Sequence, residues 1–90
     1  MPFYYRRLWH ESRGDEHDAW GHSEWWFEVN DQEHVTRQME IYATGPAKRY
    51  SVTQPEDEFG RLAGDSFGAA EWLPFRVEPA DFESLWREQR

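Results

Sequence analysis

Cysteine is absent from the 90-residue chain. That absence excludes disulfides, thiolate catalysis and Cys-based zinc sites. No apolar run approaches the roughly 20 residues that a membrane-spanning helix needs. The first nine residues carry Arg6 and Arg7 but no apolar stretch of signal-peptide length, so a cytoplasmic location is expected. GxSxG, P-loop and GxGxxG patterns are missing. Ser12, Ser23, Ser51, Ser66 and Ser84 stand in no context that marks a nucleophile. Ile41 is the only isoleucine, Asn30 the only asparagine and Lys48 the only lysine.

What the chain does contain is aromatic and acidic. Aromatic residues make up 18% of it, with six Trp, six Phe and four Tyr. Each ring buries roughly 150–250 Å², so a few rings can replace many aliphatic side chains in a core. Hydrophobic residues are 38% and charged residues 31%. The length suits a single domain over residues 1–90, burying only about 60–65% of its unfolded surface. The net charge of −8 repels phosphate backbones and favours encounter with basic proteins. The same charge also serves solubility alone.

Alternation predicts four strands. Residues 3–10 form the first, with apolar side chains on both faces. Residues 23–30 form the second, with Trp25, Phe27 and Val29 on one face and Trp26, Glu28 and Asn30 on the other. Residues 35–43 form the third, with Val35, Met39, Ile41 and Ala43 on one face. Arg37 falls on that face too, which requires a sheet margin or a carboxylate partner. Residues 48–53 form the fourth. The short connections favour an antiparallel meander. Residues 11–22 read as a polar loop, and residues 54–73 as a long loop with one short helical turn.

The C-terminal stretch reads as a helix. Pro79 suits its first turn, and Glu78 and Asp81 suit the positive end of its dipole. Phe82, Leu85 and Trp86 follow i, i+3, i+4 spacing, while Glu83 and Arg87 can pair on the other side. About a dozen residues make no stable helix alone, so the apolar stripe should dock on the sheet. The expected fold is α+β: a small antiparallel sheet of four to five strands packed by this helix.

Adjacent strand residues face opposite sides, so Trp25 and Trp26 are both buried only if both faces are covered. A helix would cover one face and residues 54–73 the other. If one Trp is exposed, it resembles an interface anchor rimmed by charge. The acidic residues cluster as Asp15, Glu16 and Asp18, as Glu24 and Glu28, and as Glu56, Asp57 and Glu58. Together with Trp20 and Trp26 these are the candidate partner-binding residues. The bland reading of Glu24, Glu28 and Glu40 is cross-strand ion pairing with Arg37 or Arg6. His10, His17, His22 and His34 match no tight ligand spacing, and solvated loop histidine is their simplest reading.

Two stretches, Glu71-Trp72-Leu73-Pro74-Phe75-Arg76-Val77 and Asp81-Phe82-Glu83-Ser84-Leu85-Trp86, carry a family resemblance. So do Trp9-His10 and Arg37-Gln38-Met39-Glu40-Ile41-Tyr42. In order and approximate spacing they resemble an uncharacterised family of small bacterial domains of unknown function. The resemblance implies a small antiparallel sheet with a terminal helix and no established activity. Glu78 departs from it, standing where the family has a small hydroxyl residue, and the segment around residues 60–70 is shorter. Stand-alone acidic domains of this kind are similar to immunity proteins that neutralise toxins.

The resulting expectation is a protein-binding domain, an immunity or antitoxin-like inhibitor of a basic toxin or enzyme. It would act without cofactor or metal, without nucleic acid or membrane, as a monomer or homodimer. The alternatives are a small-ligand or metal-binding domain using the His-rich loop, and a small enzyme with Glu40, Arg37 and His10 in one pocket.

Overall fold

The apolar alternation of the first residues becomes strand β1 (Phe3–Trp9) in the computed structural model, which describes residues 2–9, 14, 18–57, 60–62 and 69–88. Strands β2 (Ser23–Val29), β3 (Val35–Tyr42) and β4 (Ala47–Ser51) follow. A one-turn helix α1 (Ala69–Trp72) and a two-residue strand β5 (Arg76–Val77) precede the C-terminal helix α2 (Pro79–Glu88). Single 3-10 turns span Asp18–Trp20 and Leu73–Phe75. The strands form one antiparallel sheet in the order β4-β3-β2-β1-β5. The expected meander accounts for four strands. Strand β5 then lies along the other side of β1, opposite Tyr4 and Tyr5. Two residues show no period, so alternation could not reveal it.

Local chemistry fixes the tight turn between β2 and β3. The carboxamide oxygen of Asn30 accepts from the backbone N–H of Gln32 and of His34, both at 3.0 Å. Such side-chain-to-backbone bonds are why Asn favours turns. Glu33 takes the left-handed conformation there, with φ of 62°.

One correction concerns the faces of β3. Val29 pairs with Val35 but Glu28 pairs with Arg37, so Thr36 is an extra residue in the ladder. Such a bulge reverses the alternation on one side of it. Val35 therefore packs with Tyr5, Phe27 and Val29, not with Met39 and Ile41 as simple alternation predicts. Ala43 lies past the end of the strand and is exposed.

Both faces of the sheet are covered, which resolves the Trp25–Trp26 dilemma. Helix α2 lies over Tyr4, Trp26 and Met39, with Phe82 fully buried among them and Leu85 and Trp86 beside it. The Phe82 ring sits 5.0 Å from that of Tyr4 and stacks on Trp86. On the other face, Tyr5, Phe27, Val29 and Val35 form a second cluster, with Trp25, Leu62 and Trp72 packed against it. Part of the 54–73 segment thus covers the second face. Within it, residues 54–57 and 60–62 form a small strut. Ser51 bridges to Gln54, Glu56 bridges to Arg61, and Leu62 donates its N–H to Pro55.

Candidate functional site

Among the described residues, most of the acidic side chains expected to meet a partner make contacts within the domain. Glu24 accepts from the Arg6 guanidinium at 2.9 Å and from the Trp26 indole at 2.6 Å. The Arg6 hydrogen bond holds its carboxyl below the usual carboxylate range. Glu28 accepts from Tyr4, Thr36 and Arg37. Burial alone would raise its pKa, but these hydrogen bonds outweigh burial and the net direction is down. Arg37 also binds Glu83 of α2, so of the two placements open to the arginine on the apolar face, sheet margin or carboxylate partner, it takes the second. Asp57 accepts from Tyr50 at 3.0 Å and faces the Lys48 ammonium at 3.3 Å. Asp18 accepts from the N–H of Gly14 at 2.7 Å. Glu56 is exposed. Asp15, Glu16 and Glu58 lie outside the described residues.

Neither Trp candidate is an open anchor. Trp26 is only 7% exposed, beneath α2. Burial removes it from the candidate binding face. Trp20 is half-buried, with its ring 5.1 Å from that of Tyr42 and packed over Gly45. A Cβ at Gly45 would collide with the indole, so glycine is what permits that seat.

Arg37 and Glu40, expected in one pocket with His10, do not share a face of the sheet. They are three residues apart on one strand, so they point to opposite sides. Arg37 is held under α2 by Glu28 and Glu83. Glu40 is buried on the far side, where it accepts from Gln38 at 2.8 Å and from Tyr42 at 2.7 Å. In register it stands opposite Lys48. Above it, Gln38 also reaches the Arg61 carbonyl of the strut. No buried side-chain N or O among the described residues lacks a partner. This is how a polar group in a core is ordinarily accommodated. Among the same residues no three potential metal ligands converge. His22 and His34 flank opposite ends of the seven-residue β2. At about 3.3 Å per residue that is on the order of 20 Å, too far to share an ion. His10 and His17 lie outside the described residues.

A different surface does converge, on the face of β1 away from α2. Alternation puts Arg7 and Trp9 there together. The chain of α1 and the following 3-10 turn brings Trp72 and Phe75 alongside. The Arg7 guanidinium lies 4.9 Å from the Phe75 ring centre, 5.3 Å from Trp72 and 5.8 Å from Trp9. Trp9 continues the row toward Trp25, at 6.4 Å between ring centres. Trp9 is 46% exposed and Leu73 61%. Arg7 itself is exposed and has no carboxylate partner among the described residues, in contrast to Arg6 and Arg37. Each cation–π contact of this kind contributes about 0.5–1 kcal/mol at an exposed site. Trp9 and Trp72-Leu73-Pro74-Phe75 stood out in the sequence only as motif. The i, i+2 pairing of Arg7 with Trp9 and the i, i+3 spacing of Trp72 and Phe75 were the available signals. What joins them is the return of the chain to β1 at β5, a long-range contact that spacing cannot reveal.

Comparison of the chain with protein-family models, with characterised proteins and with solved structures finds no match.

Proposed function

We propose that this protein is a protein-binding domain whose contact surface is the arginine–aromatic platform of Arg7, Trp9, Trp72, Leu73 and Phe75. The observation that carries the reading is Arg7, exposed and without a carboxylate partner among the described residues, stacked among three rings in a strongly acidic protein. Interface hot spots are enriched in Trp and Arg for the chemistry seen here: large rigid apolar area beside a directional cation. The net charge of −8 supports a basic partner body at long range, and it disfavours nucleic acid. An immunity or antitoxin-like inhibitor of a basic toxin or enzyme is the form in which these two features work together. Charge would bring the partners together and the platform would hold them.

Co-purification from the native host tests this directly. The wild-type chain and the Trp9→Ser, Leu73→Ser double variant are compared at matched folding. A basic protein retained by the first and lost by the second supports the proposal. Equal recovery with both variants, or no basic partner with either, overturns it. A neighbouring gene encoding a toxin would identify the same partner by a second route.

A further inference from the structure

Sheets have two edges, and this one treats them differently. At the β4 edge the cations are tied down. Lys48 faces Asp57, and Arg49 donates to the Trp86 carbonyl at 2.9 Å while lying over the Trp86 ring. At the opposite end, β5 covers β1 only at Tyr4 and Tyr5. The chain immediately before β5 coils into the Leu73–Phe75 turn and leaves the ladder. From Arg7 to Trp9 the outer side of β1 therefore has no strand partner among the described residues. Arg7, Leu8 and Trp9 are all exposed there.

An open edge offers backbone N–H and C=O groups to an added strand. The side chains along it decide which strand. Two copies of this chain pairing antiparallel across positions 7–9 would set Arg7 opposite Trp9, so a second copy brings no carboxylate to Arg7. An incoming strand with a carboxylate opposite Arg7 gains a charge-assisted hydrogen bond instead. Two residues earlier on that strand, on the same face, an apolar ring would lie over Trp9. Phe75 marks the end of the slot nearest β5.

We infer that the outer edge of β1 at Arg7–Trp9 takes up an extended segment of the partner by strand addition, with an Asp or Glu side chain set on Arg7 and an apolar side chain on Trp9. The inference rests on the protein-binding reading and adds its chemistry. A partner that is basic overall presents an acidic strand locally, and Arg7 selects for it.

The probe is a fluorescein-labelled peptide, Thr-Phe-Val-Glu-Val-Thr, measured by fluorescence anisotropy against the wild-type chain. Two control peptides replace Glu by Lys or methylate the backbone nitrogens. The expected result is saturable binding of the Glu peptide with Kd below about 1 mM. Binding should weaken at least about tenfold with the Lys peptide, the methylated peptide and the Arg7→Glu variant. Arg7→Glu should in turn prefer the Lys peptide. Arg7 is exposed, so a retained melting temperature confirms that this variant still folds. Amide hydrogen exchange should slow at residues 7–9 on binding. No binding of the Glu peptide, or equal binding of the methylated peptide, overturns strand addition. If the full-length host partner is meanwhile retained by wild type and lost with Trp9→Ser, Leu73→Ser, only the edge inference fails and the broader reading stands. A concentration-dependent dimer abolished by Arg7→Glu would replace the peptide by a second copy, and also overturns the inference.

Discussion

Arg37 shows what a single side chain does in a core this small. It lies over the Phe82 and Trp86 rings and donates to Glu28 and Glu83, so it ties β3, β2 and α2 together. Both partners keep it cationic, raising its pKa further above the ordinary arginine value. Removing it leaves Glu28 partly buried without its main donor. Arg37→Ala should lower stability by about 2–3 kcal/mol, read from urea unfolding at neutral pH. The carboxylates give an acid limb. Glu24 and Glu28 have folded values below their unfolded ones, near 4.3. Their contribution is complete above that unfolded value and is lost as pH falls through the folded ones. Glu28→Gln should therefore flatten the loss of stability below about pH 4, measured as urea midpoint against pH. On the alkaline side the sign is opposite. Burial, with the Asp57 and Glu28 contacts respectively, raises the pKa of Tyr50 and Tyr4. Stability from these phenols is present below about pH 10 and falls as pH rises past it, because the unfolded chain ionises first. Tyr50→Phe should reduce that alkaline slope.

At the scale of elements, the strands and the closing helix were legible because each carries its own local signal. Phe82, Leu85 and Trp86 form a stripe, Pro79 starts the helix, and Asn30 writes its own turn. Phe82→Ala should cost about 3–5 kcal/mol, a large share of the total in a domain of this size, and be visible as a lowered melting temperature. Val35 was not legible, because one inserted residue reverses the pleat and no local preference of Thr36 announces it. That gives a discriminating experiment. Deleting Thr36 closes the bulge and leaves every other β3 side chain on its present face. The cost should be the two Thr36 hydrogen bonds to Glu28, about 1–2 kcal/mol. Deleting Gln38 removes a paired residue and shifts the alternation of one flank, turning Met39 or Val35 out of its core. Circular dichroism melts should show the first variant folded and the second not. The platform was illegible for a related reason: Arg7 and Trp9 are separated by more than 60 residues from Trp72 and Phe75, and only the β1–β5 pairing joins them.

At the scale of the whole molecule, charge and platform act over different distances. The charge of −8 is felt to about one Debye length, roughly 10 Å at 0.1 M salt. Several of its carboxylates are neutralised locally by Arg6, Arg37 and Lys48. The field that remains steers encounter but does not hold a complex. Arg7 and the rings around it act only in contact, where water is excluded. On the proposed protein-binding reading, the two contributions should separate in kinetics with the host partner. Raising sodium chloride from about 0.05 to 0.5 M should slow association by at least about tenfold and leave dissociation nearly unchanged. Trp9→Ser should leave association within about twofold and speed dissociation by about tenfold or more. Surface plasmon resonance over that salt range reads both rates. If salt altered dissociation and Trp9→Ser altered association, the acidic surface would be the contact itself and the platform would be a bystander.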